Sequence, residues 1–416
     1  MQPQPTGAAV AAFSYPGFRF YIAGRFLVIF ALEMQAVAVG WQVYAITNRP
    51  LDLGLVGLAQ FLPGILLFLP AGHAADHYPR RSIMQVCALG FAACSLSLAS
   101  FTIAGLRTVL PIYAVLLLVG AVRAFNGPAS QAFLPHLVPA TVFHNAVTWN
   151  ASLIQTAMIV GPVAGGAIYG LTGSPVPVYF GAAAVALAGL LSVSLIRAPR
   201  IIREPAGSSL RMLLEGIRYI WNNQLILGTI SLDMFAVLLG GAVALLPVYA
   251  RDILHVGAAG LGLLRSAPGI GAVLMAVIVA HWPLRRRAGV KMLVCVFGFG
   301  VFIVVFGLSR NLWLSLAALT LTGALDMVSV IVRQTLVQMA TPDSMRGRVS
   351  AVNTVFIGAS NEVGQFESGL TAHWFGTVPA VVIGGIGTML VVLIWAKLFP
   401  AMRRIDDLAA PQGFID

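Results

Sequence analysis

Residues 43–81 read VYAITNRPLDLGLVGLAQFLPGILLFLPAGHAADHYPRR, and residues 248–286 read VYARDILHVGAAGLGLLRSAPGIGAVLMAVIVAHWPLRR. At one offset of 205 residues the two stretches share Val-Tyr-Ala, a glycine, Pro-Gly-Ile and Arg-Arg. Three further matches share an offset of 203: Gln131 with Gln334, Pro139 with Pro342, and Asn150 with Asn353. Since both offsets are close to half of the 416 residues, the sequence indicates an internal duplication, the usual plan of a two-lobed membrane carrier.

The composition places the chain in a membrane. Hydrophobic residues make up 59% and charged residues only 9%, and the mean hydropathy is +0.90. A soluble protein of this length could not cover its surface with so few charges. We predict an all-α integral membrane protein whose apolar stretches, about 20 residues or longer, form twelve spans, at residues 18–46, 51–75, 83–104, 108–130, 142–171, 176–197, 221–250, 257–282, 288–308, 312–340, 346–372 and 377–400.

The basic residues fall mainly on one side of this topology. With twelve spans both termini share a side, and 17 of the 25 basic residues lie in connections on that side, against 4 in the other connections and 4 inside spans. The positive-inside rule therefore predicts that both termini are cytoplasmic. The same distribution accounts for the net charge of +11 without nucleic-acid binding, because the charges are scattered over loops at the bilayer surface.

The duplication predicts two pseudo-symmetric six-helix bundles, residues 1–197 and 221–400, and a cytoplasmic tail, residues 401–416. A connector, residues 198–220, joins the bundles. In its second part, Ser209 to Trp221, leucine and isoleucine fall on one helical face and the charges fall elsewhere. A short helix lying on the inner membrane surface fits this pattern. For the connector as a whole we favour a linker between the lobes over a regulatory site.

Other kinds of site find little support. Cys87, Cys94 and Cys295 all lie in predicted spans and provide neither a disulfide framework nor a metal site. His73 and His77 lack a third ligand in sequence, so we predict no bound metal. The loops contain no Gly-Lys-Ser/Thr phosphate loop and no Ser/His/Asp or Cys/His constellation. We therefore expect neither a cofactor nor an enzymatic activity.

A loop motif resembles that between helices two and three of the major facilitator superfamily. The stretch reads Gly72-His73-Ala74-Ala75-Asp76-His77-Tyr78-Pro79-Arg80-Arg81. It keeps the family's Gly72, Asp76, Arg80 and Arg81, and it departs at Ala74, His77 and Pro79.

Three other elements resemble the same family in the expected order. Arg123 with Gly127 looks like the Arg-x-x-x-Gly element of helix four. The run from Gly161 and Pro162 to Gly165 and Gly166 resembles the Gly-Pro-x-x-Gly-Gly motif of drug–proton antiporters in helix five. The loop with Thr341-Pro342-Asp343, then Arg346-Gly347-Arg348, looks like that before helix eleven in the subgroup of the enterobactin exporter and Tap-type multidrug efflux pumps. The resemblance covers roughly residues 15–400 and implies the major facilitator fold in a bacterial inner membrane.

The loop motifs suggest a conformational latch. Gly72 would let two helices approach closely, and Asp76 could face the positive N-terminal end of a neighbouring helix, which the resemblance suggests is helix eleven. Arg80 and Arg81 could reach acidic or carbonyl groups of the adjoining lobe when the cytoplasmic side is closed. Arg346 and Arg348 complete the predicted latch residues. The alternative for the arginines is simple positive-inside anchoring.

The helix-five motif combines three glycines with a proline. Gly161, Gly165 and Gly166 thin the helix surface, and Pro162 removes one backbone donor. A close-packed and bendable helix suits a rocking bundle, whereas ordinary packing of small residues is the alternative.

Charges inside the spans carry the main functional prediction. An ionised group at the middle of a bilayer costs at least about 2.5–3.5 kcal/mol, so each must face a cavity, a partner or a proton. We predict a proton and substrate pathway formed by Glu33, Arg123, Asp233, Asp326, Arg333 and Glu362. Glu33 would carry the proton and Arg123 would be its partner. Asp326 is the repeat counterpart of Arg123, and it shares a helix face with Arg333. The alternative for each is a structural ion pair between helices.

The sequence therefore predicts a monomeric secondary carrier that works by alternating access in the lipid bilayer. The favoured activity is export of an amphipathic small molecule, such as a drug or a siderophore, driven by protons. The direction rests on the helix-five motif and on the subgroup resemblance. Two alternatives stay open, namely proton-linked uptake of a nutrient, and a membrane sensor or scaffold that transports nothing.

Overall fold

A computed structural model describes residues 8–105, 107–197, 209–282 and 287–403, and no strand occurs within these ranges. Short 3₁₀ or π turns lie at Ala8–Ser14, Leu134–His136, Ala242–Leu245 and Tyr249–Ile253. The α-helices, in chain order, are α1 (Pro16–Thr47), α2 (Pro50–Leu66), α3 (Phe68–His77), α4 (Arg80–Ile103), α5 (Leu110–Phe133), α6 (Ala140–Thr172), α7 (Val176–Ser194), α8 (Ser209–Asn222), α9 (Gln224–Gly240), α10 (Leu246–Val248), α11 (Gly257–His281), α12 (Ala288–Leu308), α13 (Leu312–Ala340), α14 (Asp343–Phe375), α15 (Thr377–Leu398) and α16 (Pro400–Arg403).

These helices occupy the twelve spans that the sequence predicts. In the described part of the chain, ten helical segments are long and apolar enough to cross a membrane, and the bent pair of α2 and α3 makes an eleventh. The remaining predicted span, residues 346–372, lies within α14, which has 33 residues and is therefore about 50 Å long but does not meet the same measure of length and apolarity. It is less apolar than the others because it carries both latch arginines, Arg346 and Arg348, and two glutamates, Glu362 and Glu367.

The second span is broken instead of continuous. α2 and α3 meet at Leu67 with a bend of 55°. In an unbroken helix the N–H of residue 70 would donate to the carbonyl of Leu66, but Pro70 has no N–H and its ring would collide with that carbonyl. Pro63, in contrast, lies inside α2 without ending it.

The seventh span is also discontinuous. α9 ends at Gly240, and the chain continues through a 3₁₀ turn, the short α10 and a π turn to Ile253. The adjacent Gly240 and Gly241 weaken a helix, and Pro247 cannot donate to the carbonyl of Val243. The predicted span over residues 221–250 is thus matched by one span, Gln224–Ile253, whose last part is an irregular helix.

The duplication is visible in the structure. Adding the offset of 203 residues to the bounds of α6 gives the bounds of α14. In the first half α4 packs against α5 and α7, and in the second half its counterpart α12 packs against α13 and α15. The two halves of the sequence therefore fold by the same helix-pairing scheme.

The described helices form two compact units. The first contains α1 and the residues from Leu62 to the end of α7, and the second contains Thr47–Phe61 and the helices from α8 onward. The first part of α2 thus lies with the second unit, whereas the sequence predicts one bundle over residues 1–197. Residues 198–208 of the predicted connector and 404–416 of the predicted tail lie outside the described residues.

Glycine contacts explain why the start of α2 belongs to the second unit. A Cβ added to Gly369 of α14 would lie 2.7 Å from the Cα of Gly54 on α2. One turn later, a Cβ on Gly57 would lie 3.0 Å from the Cβ of Gln365. Only residues without side chains allow two helix backbones to approach this closely.

Candidate transport site

Asp233 on α9 and Arg333 on α13 form an ion pair inside the second unit. The Nη1 of Arg333 donates to the Oδ2 of Asp233, and the two side chains are 3% and 7% exposed, respectively. Removing either partner would leave an uncompensated buried charge, which typically costs about 3–5 kcal/mol. The pair therefore fixes α9 and α13 relative to each other.

Asp326 adds a second acid to this pair. It lies on α13, two turns before Arg333, is half-buried, and interacts electrostatically with both Asp233 and Arg333. Two carboxylates facing one guanidinium leave one negative charge in excess when both acids are ionised. We call these three residues the charged triad.

Two polar atoms in or beside the charged triad lack hydrogen-bond partners among the described residues. Ser329 lies between Asp326 and Arg333 on α13, and its buried Oγ has no hydrogen-bond partner there; nor does the Nε of Arg333. Buried polar groups are normally satisfied by protein or by ordered water.

Tight packing of α11 on α13 holds the triad in place. Gly323 of α13 lies against the carbonyl of Pro268, and Gly271 of α11 lies against the carbonyl of Thr320. A Cβ at either glycine would overlap a backbone oxygen. Pro268 belongs to the repeated Pro-Gly-Ile stretch, so this part of the duplication shapes the contact between the two helices.

Glu362 and Glu367 are half-buried on α14 near the break after α9. Glu362 accepts a hydrogen bond of 2.9 Å from Gln365, and Glu367 accepts one of 2.7 Å from Thr371. Ser368 donates to the carbonyl of Gly241 at 3.0 Å. The break in the seventh span thus frees a backbone carbonyl, and this carbonyl accepts a hydrogen bond from α14.

In the first unit, Glu33 lies against the helix-five motif. A Cβ added to Gly161 on α6 would lie 2.7 Å from the Cβ of Glu33 and 3.1 Å from the carbonyl of Phe30 on α1. One turn later, Gly165 lies against the carbonyl of Met34. All four motif residues are buried in an uninterrupted α6, so Pro162 does not end the helix. The motif is therefore the surface on which α1 packs beside its glutamate.

Two further arginines of the first unit, the predicted Arg123 and Arg25, differ in their surroundings. Arg123 on α5 is exposed. Arg25 on α1 donates to the hydroxyl of Tyr21 at 3.0 Å, and that hydroxyl donates to the carbonyl of Ser130 at 2.8 Å. Arg25 is therefore tied to a fully buried tyrosine that sequence reasoning missed.

Arg80 and Arg81 bind carbonyl groups of their own unit. Arg80 donates to the carbonyl of Ala132 at 3.0 Å, and Arg81 donates to the carbonyl of Ser194. These acceptors lie at the C-terminal ends of α5 and α7, where unpaired carbonyls and the helix dipole favour a cation. In this conformation the two arginines therefore cap neighbouring helices, and their predicted part in a latch stays a prediction.

The remaining latch residues lie on α3 and in the first two turns of α14. Gly72 is half-buried and Asp76 is exposed on α3. Arg346 donates to the carbonyl of Gln338 at 3.2 Å, whereas Arg348 forms an ion pair with Glu215 of α8. Sequence reasoning missed Glu215, because nothing in its spacing links it to a residue more than 100 positions away.

Three hydrogen bonds between spans were also missed. Ser95 donates to the buried Gln35. Gln42 donates to Thr102 at 2.9 Å and accepts from Tyr179 at 2.6 Å. The usable signal was a glutamine in an otherwise apolar span, since such a group needs a partner in hydrocarbon.

Metal-ligating residues do not cluster in the ranges that the structure describes, where no group of three or more His, Cys, Asp or Glu side chains could hold an ion. His73 and His77 stack on each other with ring centroids 3.9 Å apart. His77 also contacts the carbonyl of His73 through Nδ1 at 2.9 Å, so the two rings are engaged with each other and with the backbone.

Comparison with protein families matches residues 7–412 to the model of the transmembrane secretion effector family. The enterobactin exporter EntS of Citrobacter koseri is 27% identical to this chain over 402 residues, which cover 94% of each protein. The enterobactin exporter EntS of Shigella boydii serotype 4 gives the same identity and coverage.

Solved structures of other transporters share the fold. A D-xylose-proton symporter superposes with a TM-score of 0.70 at 15% identity, over 94% of this chain and 99% of its own. A peptide transporter of the POT family gives a TM-score of 0.75 at 10% identity, over 94% of this chain and 96% of its own. At these identities the likeness concerns the fold alone, which is that of the major facilitator transporters.

Proposed function

The chain belongs to the transmembrane secretion effector family, and from this premise we propose that it exports an amphipathic small molecule in exchange for protons. It is a multi-pass membrane transporter of the major facilitator type, and its relatives are named as exporters. The exchange of protons and the class of cargo are what we propose beyond membership of this family.

The observation that carries proton coupling is the charged triad. Arg333 is held by Asp233, which leaves Asp326 as the acid in excess. Uptake of one proton makes the triad neutral, and release of that proton restores one negative charge. In a low-dielectric interior these two states differ strongly in their electrostatic energy. Proton binding therefore supplies the energy difference that an alternating-access cycle needs.

Glu33 is the second proton-binding residue that we propose. The segment of α1 around Glu33 is in direct contact with Gly161 and Gly165 of α6. Because these glycines have no side chains, a change in the charge of Glu33 acts directly on the contact between α1 and α6. Glu33 would link protonation to movement of α6 against α1, while the triad would store the proton in the second unit. Arg123 and Glu362 complete the proposed pathway.

The class of cargo follows from the relatives. Those described above are named for enterobactin, a siderophore, and they align over 94% of this chain. We therefore propose a siderophore or a drug of similar amphipathic character, carried outward across a bacterial inner membrane by a monomer with cytoplasmic termini. The positive-inside distribution of the basic residues supports this orientation.

Everted membrane vesicles test the proposal. Cargo added to energised vesicles that contain the protein should release protons from the lumen, and Asp326→Asn should abolish this release. Asp52→Asn, which removes a carboxylate from the first turn of α2, serves as the control and should retain it. Cargo accumulation that is unaffected by collapse of the pH gradient would contradict proton coupling, and cargo movement in the opposite direction would indicate uptake.

A further inference from the structure

Helix α8 exposes an apolar stripe. Leu214, Ile217 and Trp221 are 58%, 38% and 71% exposed. Their spacing of three and then four residues places them on one face of a helix. Large apolar side chains aligned in this way, and left uncovered by the described residues, mark a surface that binds something else.

The opposite face of α8 is fixed to the second unit. A Cβ on Gly216 would lie 2.9 Å from the carbonyl oxygen of Arg348 on α14, and Tyr219 donates to the carbonyl of Ala340 at 2.9 Å. Glu215 pairs with Arg348. α8 is therefore a docked helix with a defined outer face, and rotation to bury the stripe would break all of these contacts.

The stripe ends at the membrane boundary. α8 ends at Asn222, and the side chain of Asn223 caps α9 by accepting from the N–H groups of Leu225 and Ile226, each at 3.1 Å. α9 enters the seventh span directly. With a rise of about 1.5 Å per helical residue, Trp221 lies within about 10 Å of the first apolar turn of that span. Tryptophan is enriched at this depth, where one edge of the ring is apolar and the other is wet.

Basic residues accompany the stripe. Arg218 is exposed beside Ile217, and Arg211 precedes Leu214 by three residues in the sequence. The stripe therefore combines apolar side chains with positive charge, which is the pattern of helices that lie in the headgroup region of an anionic leaflet. The predicted cytoplasmic position of this connector agrees with that side of the membrane.

We propose that the outer face of α8 binds the cytoplasmic leaflet, with Leu214, Ile217 and Trp221 at the acyl boundary and Arg218 on an anionic phospholipid headgroup. Because α8 is bonded to the start of α14, the same contact holds the cytoplasmic end of α14 at the membrane surface. This inference does not depend on the nature of the cargo or on proton coupling.

The test is the depth of Trp221 in nanodiscs that contain the full-length protein. The signal of Trp221 is the difference between wild type and Trp221→Phe, since the chain has seven tryptophans. Phosphatidylcholine brominated near the headgroup should quench this difference signal, and added phosphatidylglycerol should strengthen the quenching. Arg218→Gln should lower the preference for phosphatidylglycerol about fivefold, the factor expected for one basic residue near an anionic surface.

Arg310→Gln is the matched control, because it removes an exposed arginine before α13 and should leave the Trp221 signal unchanged. Quenching by aqueous acrylamide but not by brominated lipid would overturn the proposal and show a solvated linker. Quenching that requires two copies in one nanodisc would overturn it in favour of a contact between copies. Equal quenching with and without phosphatidylglycerol would remove the anionic headgroup from the proposal.

Discussion

Arg333 of α13 donates a hydrogen bond to Asp233 of α9, and both side chains are almost completely buried. The pair joins the fourth helix of the second repeat to the first, and it leaves Asp326 on the same face of α13 without equivalent compensation. Charges at this depth are retained only where a structure or a mechanism needs them. The two acids therefore differ in role, and substitution can separate the roles.

Substitution of Asp233 alone should destabilise the protein. Asp233→Asn removes the carboxylate that is hydrogen-bonded to Arg333 and leaves Asp326 as the remaining acid of the triad, so we expect a loss of up to about 3 kcal/mol. The double variant Asp233→Leu with Arg333→Met replaces the pair by apolar groups and should recover most of that loss. Thermal unfolding of both variants in detergent measures the difference in stability. An equal loss of stability in the single and the double variant would contradict a penalty for the broken ion pair.

Substitution of Asp326 should impair coupling without harming the fold. Asp326→Asn removes the surplus negative charge, so the unfolding temperature should stay the same or rise. Substrate-induced proton release in everted vesicles should fall to background, because the triad then stays neutral at every stage of the cycle. A variant that unfolds more readily and still couples normally would assign Asp326 a structural role instead.

Glu33 gives a separate prediction for the first unit. Glu33→Gln should abolish proton-coupled transport in vesicles while the protein still inserts and folds, since the amide preserves the shape beside Gly161. Glu367→Gln is a suitable control, because Glu367 is satisfied locally by Thr371. Normal pH-driven efflux by the Glu33 variant would remove this residue from the mechanism.

The sequence predicted where the helices and the costly charges lie, but only some of their partners. Hydropathy and the repeat located eleven spans that the described helices support, if the bent pair of α2 and α3 counts as one, and residues 346–372 stay a predicted span. The seven-residue spacing placed Asp326 and Arg333 on one face. The pairing of Arg333 with Asp233 could not be predicted, because the apolar residues of α9 surround the helix and do not show which other helix its one charged residue faces. The carbonyl partners of Arg80 and Arg81 were unpredictable for a related reason, since every helix end offers the same acceptors.

Substitution of glycine by alanine should be far more destabilising at the contact between α6 and α1 than at an open position on α5. Gly165→Ala places a Cβ against the carbonyl of Met34 and should destabilise the protein by about 1–3 kcal/mol. Gly127→Ala is the matched control, since nothing lies within 4 Å of its added Cβ, and it should be neutral or stabilise the helix by up to about 1 kcal/mol. Similar unfolding temperatures for the two variants would contradict a tight contact between α1 and α6.

We expect the contact between α2 and α14 to open during transport. The sequence assigns α2 to the first repeat, but its initial residues pack on the second unit through Gly54 and Gly57. The Cβ of Gln365 lies 3.0 Å from a Cβ built on Gly57, slightly less than the usual 3.5–4.5 Å of a disulfide. The double variant Gly57→Cys with Gln365→Cys should therefore cross-link on oxidation after a small shift.

Cross-linking should arrest transport, and reduction should restore it, because alternating access requires the repeats to separate at contacts formed in one state only. Each single cysteine variant, treated with the same oxidant, controls for the native thiols Cys87, Cys94 and Cys295. Full transport by the cross-linked protein would mean that the start of α2 moves permanently with the second unit. In that case the bend at Leu67, and not the contact with α14, would absorb the motion between the repeats.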